Sequence, residues 1–510
     1  MKKPDTSLFQ LIKAMGANEK RYFTGNNSSK LIFLFNAIDA QKVYDEANIK
    51  KKFAADSYFV NHLNTAKRNL QKSVLKSLRN YHTESSIDIR LRNRMTDIDL
   101  LFYKGLYDMC LKAINNLKII AVKYEKWMWQ LEAIRYEYRL NAVSKSTNNS
   151  SQYLHRLKKE EDLLLKKIGN FCEYDFIVNH YHLLVTSKGH RKKKPLKRLF
   201  LSPALQSERQ TLSWKARRNY HLLKHFYYLH LKHDLKLALK HIKHYLVIIK
   251  KTPFESEAHL ISYIYGLQDY SFLCIKLKKT DEVFSIIREI KGFLQKTSSE
   301  FNSPAIAKVA FVKSYSMELA LLNHIGEAEK GIALVPEIET GLKKFKNHLI
   351  KQNYIVFYFN IALCYFGAGR YRDTIRWLNK VMNETDNTVR EDIQCMVRII
   401  NLIVHYELGR EEYVQFLISE TRKFLQERKS VFKIEHVVLN FFDKKLPVSG
   451  KGISPTEDFK ELQRELKLIS KDAKESEALE YFDFIFWAES KIENRPMSEI
   501  VKKKYLRGVV

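Results

Sequence analysis

The stretch YFGAGRYRDTI, residues 365–375, sets Gly367 and Gly369 two positions apart, with Arg370 and Arg372 close behind. Glycines so spaced let backbone N–H groups close round a phosphate, and guanidinium groups then neutralise it. That chemistry has further requirements. A P-loop ends in GK[ST], and a dinucleotide site needs a third glycine between strand and helix. Arg372 stands where the third glycine would fall, and the residues before Gly367 have the apolar density of a packed helix. The stretch reads instead as a turn between two helices, because glycine closes a helix in the left-handed conformation at little cost.

Histidines offer the next chemistry, since eight of the 17 fall between residues 181 and 250. His221 and His225 lie four apart and share a helix face, as two zinc ligands would. No HExxH is present, and no Cys or acidic ligand sits at matching spacing, so they read as polar or half-buried positions on tyrosine-rich helices. No GxSxG elbow or Cys–His signature occurs. The acid runs at 160–162 and 411–412 read as solvated helix faces. The expectation is a non-enzyme with no catalytic residue, metal or cofactor.

The remaining chemistry is charge. The segment SKGHRKKKPLKRLF, residues 187–200, supplies Lys188, Arg191, Lys192, Lys193, Lys194, Lys197 and Arg198, and Lys215, Arg217 and Arg218 follow. Residues 181–250 carry 17 Lys and Arg against Glu208 and Asp234, a local +15 within a net +31. Residues 451–510 are neutral, with 12 basic and 12 acidic side chains. Like charges at such density repel, and Pro195 interrupts a continuous helix, so an exposed loop or hairpin is expected, with helix resuming after Pro203. Phosphate backbones release counterions on meeting such a cluster. Trp214, Phe226, Tyr227 and Tyr228 are near enough in sequence to stack on bases. These ten cations form a candidate polyanion site. A nuclear signal or an anionic-lipid contact would use the same residues.

Helices must position these groups. Only 16 Gly and 9 Pro occur in 510 residues, too few for a strand- and turn-rich chain. No run of 18 apolar residues is present, so no membrane span is expected. Lys13 and Asp5 break the pattern of a secretory signal. Cys110, Cys172, Cys274, Cys364 and Cys395 are odd in number and far apart. They read as buried small hydrophobes in a reducing cytoplasm.

The turn at Gly369 recurs. Comparable breaks fall at Gly105, His233, Lys278, Gly326 and Gly409, and from His233 onward the spacings are 45, 48, 43 and 40 residues. Ser202-Pro203, Thr252-Pro253 and Ser303-Pro304 repeat a capping residue before a proline at similar intervals. Thr252 with Glu255, and Ser454 with Glu457, have the spacing of capping boxes. Gly369, Tyr371 and Thr374 occupy the places that a turn glycine, an aromatic and a small residue hold in the tetratricopeptide repeat. Over residues 95–440 the chain resembles that family, although its units exceed the family period of about 34. The resemblance implies an all-α solenoid of stacked antiparallel helical hairpins, with Gly105, Gly326, Gly369 and Gly409 as structural turns. Residues 1–92 read as an N-terminal helical domain, 93–442 as the repeat array, and 443–510 as a linker and helical cap over the end of the array. The function expected is a scaffold for a protein or peptide partner. The alternative is a nucleic-acid-binding regulator that uses the head or the 187–218 patch.

Overall fold

The computed structural model describes residues 6–82, 86–143, 151–186, 193–252, 257–295, 303–384, 389–427, 432–445 and 457–508. All regular secondary structure among them is helical. The chain divides into two compact units, Met1–Gly169 and Asn170–Val510.

The first unit starts with α1 (Ser7–Ala14), α2 (Ala17–Gly25), α3 (Ser29–Asp39), α4 (Glu46–Lys52), α5 (Ser57–Asn61) and α6 (Leu63–Tyr81). Asp45 starts α4, its carboxylate accepting from the Asn48 N–H at 3.1 Å. The spacing of Leu63, Leu70 and Val74 turns one face of α6 inward, onto Leu8, Ile12, Phe23, Leu34 and Phe35. Next come α7 (Ile87–Tyr103), α8 (Tyr107–Lys123), α9 (Trp127–Val143) and α10 (Ser151–Thr186), the last of which contains the division between units. Helices α7 to α9 share a core of their own around Leu91, Ile98, Cys110, Ile114 and Leu140.

The second unit is a stack of hairpins. It comprises α11 (Lys193–Leu199), α12 (Trp214–Tyr227), α13 (Leu235–Lys251), α14 (Glu257–Lys276), α15 (Thr280–Gln295), α16 (Pro304–His324), α17 (Ala328–Ala333), α18 (Val335–Lys344), α19 (Lys351–Gly367), α20 (Tyr371–Met382), α21 (Glu391–Glu407), α22 (Glu411–Glu427) and α23 (Lys433–Lys445). Helices α12 to α18 pack each on the next in sequence, as do α19 to α23, and α14, α16, α19, α21 and α23 also pack on one another in that order. That alternation of hairpin partner and next repeat makes an α-solenoid.

One turn type recurs at the hairpin tips. Gly105, His233, Lys278, Gly326, Gly369 and Gly409 have φ of 73, 53, 59, 75, 72 and 69°. At five of these tips the next N–H (Leu106, Lys279, Glu327, Arg370, Arg410) reaches the carbonyl five residues back, at 2.8 to 3.1 Å. This Schellman closure satisfies carbonyls that the helix end leaves open. His233 follows a π-helical turn, Tyr228–Lys232, and there the Asp234 N–H reaches the Tyr228 carbonyl at 3.0 Å. A Cβ on Gly369 would meet nothing within 4 Å, so only its backbone angle resists substitution. Gly369→Val is therefore expected to lower stability by about 1 kcal/mol or slightly more. An unchanged melting temperature would remove that glycine from the turn.

The proline signals divide. Pro304 opens α16, and the Ser303 hydroxyl accepts from the Ile306 N–H at 3.2 Å. Ser202-Pro203 opens only the 3-10 turn Pro203–Leu205, without a side-chain cap, and α12 starts at Trp214 under a Ser213 cap. Pro253 and Glu255, like Ser454 and Pro455, lie outside the described residues. Pro195 does not keep its segment unwound. It sits in the first turn of α11, where a missing N–H removes no intrahelical bond.

The C-terminal segment departs most from expectation. Helices α24 (Glu457–Ile469), α25 (Ala473–Leu479), α26 (Phe484–Glu493) and α27 (Met497–Leu506) do not simply cover the last repeat. They double back across the ends of α21, α19, α16 and α14. Trp487 Nε1 donates to Glu407 Oε1 at 2.8 Å, and Lys502 pairs with Glu327 at 3.1 Å. The Tyr505 and Thr280 hydroxyls lie 2.5 Å apart, and Lys278 donates to the Gly508 carbonyl. Phe459, Phe482, Phe484 and Trp487 join the same core as α19 and α21. Their apolar run predicts burial; it carries no address for where burial occurs.

Candidate functional site

The doubling-back creates a groove. On one side are the inner helices, with Phe272 of α14, Asn323 and His324 of α16, and Val356, Phe359, Leu363 and Phe366 of α19. On the other side are Tyr481, Phe482, Asp483 and Phe486, with Met497 and Val501 of α27. Between them lies a cavity of about 710 Å³. It is large enough for a small ligand or a few side chains of a bound segment.

Its charged groups already have partners. Arg390, at φ 53° before α21, gives Nε and Nη2 to the Asp392 carboxylate at 2.9 and 2.6 Å. The Tyr481 hydroxyl donates to the same carboxylate at 2.7 Å. Burial works to raise the Asp392 carboxyl, yet the bonds from Arg390 and Tyr481 outweigh it and hold the group below its ordinary range. Lys276 pairs with Glu480. Asn323 Nδ2 donates to the Asn360 carbonyl at 3.1 Å, and Asn360 Nδ2 to the Val356 carbonyl at 2.8 Å. Burial pushes Asp483 up to about 6, although its carboxylate accepts from the Phe486 N–H at 2.9 Å. Burial likewise lowers the imidazole of His324. A site whose Arg390, Lys276 and Glu480 are internally paired and whose walls are aromatic suits apolar groups.

The inner stripe of α14 extends beyond the cavity through Asp269 to Tyr265. Burial raises Asp269 to about 7, with Lys313 of α16 opposing. Lys313 itself is lowered by burial, and its ammonium stands 4.5 Å from the Tyr265 ring centroid. Asp269→Asn removes a carboxylate that burial disfavours. It is expected to change stability little near pH 4 and to raise it by roughly 2–4 kcal/mol at pH 7, because the unfolded chain ionises this group from about pH 4 upward whereas the folded chain keeps its proton to about pH 7. Urea midpoints at the two pH values check this.

The residues singled out from sequence are dispersed. Gly367 ends α19, and Gly369 closes it. Arg370 pairs with Glu329 at 3.2 Å, so no phosphate cradle forms. His221 and His225 do share the buried face of α12, but each points to α13 rather than to the other. His221 Nδ1 lies 3.0 Å from His241 Nδ1, and His225 Nδ1 lies 3.1 Å from the Ala238 carbonyl. Among the described residues no three His, Cys, Asp or Glu side chains converge as metal ligands do. Four cysteines are buried, whereas Cys172 is exposed on α10.

Of the ten basic positions, Lys188, Arg191 and Lys192 lie outside the described residues, as does the side chain of Lys193. Lys194, Lys197 and Arg198 are exposed on α11. Arg217 reaches Glu208 at 3.6 Å. Arg218 donates to Asn219 and, with Lys215, lies over the Trp214 ring. Of the aromatics proposed for stacking, Phe226 is buried in the core that joins α10 and α12, while Trp214, Tyr227 and Tyr228 are half-buried. The cavity aromatics Phe272, Phe359 and Phe486 carried no distinguishing signal, because a groove-facing phenylalanine has the same helical period as a core one.

No protein-family model matches the chain, and no curated protein matches it. Among solved structures it is similar to aspartyl phosphate phosphatase F from Bacillus subtilis, at 12% identity and a TM-score of 0.44, over 83% of this chain and 94% of that one. At that level of likeness the activity named there does not transfer.

Proposed function

We propose that the chain is a non-enzymatic, tetratricopeptide-like scaffold of the cytoplasm that binds a protein or peptide partner in the groove between the inner helices and the C-terminal segment. The supporting observation is the aromatic-walled cavity of about 710 Å³ whose own ions are already paired. Apolar side chains of the partner replace water there, at about 25 cal/mol for each Å² buried. The cysteines suit a reducing compartment.

Affinity purification from the native cell after nuclease treatment tests this, with the wild-type chain set against Phe272→Ser. Phe272 lines the cavity and is 41% exposed, so its loss leaves the helix packing in place. A defined protein retained by the wild type and lost from the variant is the expected result. Equal retention by both, or no retained protein, overturns the reading.

A further inference from the structure

A second groove lies between α10 and α11, apart from the inner groove, and has two of the ten basic positions, Lys194 and Arg198, on its rim. Its volume is about 770 Å³. Glu173, Phe176, Ile177 and His180 fall on one face of α10, and Lys194, Arg198 and Leu199 face them from α11. Ile177 is buried and forms the floor with Leu199, while Phe176 remains 65% exposed, its ring 5.6 Å from that of His180. A single exposed aromatic is ordinary on a protein surface, but here Phe176 borders a recess floored by Ile177 and Leu199, so the apolar surface is continuous. Lys194 and Arg198 stand one turn apart on the rim. No ion pair within 4.0 Å holds either of them among the described residues.

We propose that this groove docks an acidic amphipathic helix of a protein partner. Apolar side chains at i and i+3 or i+4 of that helix enter between Phe176, Ile177 and Leu199, and its carboxylates meet Lys194 and Arg198. The net charge of +31 draws anionic partners and speeds their approach. Two features favour a helix over a phosphate polymer or a bilayer. The floor is apolar and recessed, which a flat membrane does not enter. The Glu173 carboxylate, which accepts from the Ser202 hydroxyl at 3.5 Å, stands on the wall facing Lys194 and Arg198, and a helix can turn its carboxylates to the cationic rim and its apolar face away from it, whereas a phosphate chain carries charge along its whole length. The surface is independent of the inner groove.

The test uses the full chain and a synthetic 18-residue amphipathic peptide with glutamates on its polar face and leucines on the other. Fluorescence anisotropy at two salt concentrations reads the affinity. Three further probes are the same peptide with its leucines changed to serine, a single-stranded DNA 20-mer, and vesicles of anionic phospholipid. We expect the acidic amphipathic peptide to bind best and to weaken with salt. Phe176→Ser and the pair Lys194→Glu/Arg198→Glu should each lose about tenfold or more, the scale of an interface anchor or a desolvated charge pair. Lys236→Glu/Lys240→Glu on α13 matches the charge change and should lose little. Phe272→Ser should bind as the wild type does. The proposal fails if the peptide does not bind, if the serine peptide binds equally, if DNA or vesicles bind more tightly, or if the α13 control loses as much. Circular dichroism of each variant shows that the fold is intact. A lost partner in the Phe272→Ser purification with intact peptide binding separates the inner groove from this one.

Discussion

Trp487→Ala is expected to destabilise the Asn170–Val510 unit by about 4 kcal/mol, within the range for truncating a buried large aromatic. Trp487 is 1% exposed and packs its ring on Phe442 and Phe459, at centroid distances of 5.9 and 5.2 Å. Its Nε1–H donates at 2.8 Å to Glu407, whose side chain is 5% exposed and also pairs with Lys491. Truncation leaves a cavity and takes one donor from a nearly buried carboxylate, and the two costs add. Trp487→Phe separates them. It keeps most of the ring volume and should lose only about 1–2 kcal/mol, the scale of an unmet hydrogen bond. Urea unfolding followed by near-ultraviolet circular dichroism gives both values. A wild-type midpoint for Trp487→Ala would mean that the C-terminal helices are not part of the solenoid core.

The second large effect is on pH dependence. Comparison of pH 7 with pH 5 should show His225→Gln gaining about 2 kcal/mol on the wild type. His225 is 1% exposed. Its Nδ1 faces the Ala238 carbonyl, which only accepts, so Nδ1 carries the proton. Nε2 is buried with no partner among the described residues. A proton added there would find no acceptor, and burial pushes the imidazole down to about 4. The unfolded chain takes up that proton from about pH 6.5 downward, and the folded chain does so only near pH 4. Stability from this group is therefore full at neutral pH and falls as pH drops through that window. His221 and His241 act in the same direction. Burial lowers both, and across their 3.0 Å contact one ring nitrogen must stay unprotonated. Asp269 and Asp483 act in the opposite direction. Burial raises them to about 7 and about 6, so the folded chain keeps protons that the unfolded chain releases. The wild-type profile sums these opposed slopes, and the single substitution isolates one of them. Equal pH slopes in wild type and His225→Gln would show that His225 titrates normally.

The hairpin tips were legible because each combines a break in helical periodicity with near-regular spacing. That allowed His233 and Lys278 to be placed at turns without a glycine. The sequence of α6 likewise carries a clean apolar face, although no side-chain cap marks its start. Burial of the Phe482–Trp487 run was legible, but its destination was not. Amphipathicity says that a face is covered; here the partners of this run include Glu407 and Phe366, 80 and 116 residues away in sequence. Histidine spacing along α12 suggested a pair at 221 and 225, whereas the actual partners come from α13, across the turn at His233. Spacing within one helix fixes a shared face, and only the tertiary register decides what that face meets. The basic segment was legible as charge, but the conformation of its described part, Lys193–Leu199, was misjudged, because a proline tolerated in a first turn resembles one that breaks a helix.

The contacts of α26 and α27 bear on the order in which the second unit becomes stable. A hairpin stack with nearest-neighbour contacts alone frays from its ends, one repeat at a time. Here Lys278 is tied to Gly508, Thr280 to Tyr505 and Glu407 to Trp487. These ties turn the run from α14 to α21 into a closed circuit, in which no interior hairpin can open without breaking a contact made far along the chain. Contacts at such separation form slowly, since a long loop must close first. During synthesis α14 therefore emerges, folds against its neighbours, and waits more than 200 residues for the segment that fastens it.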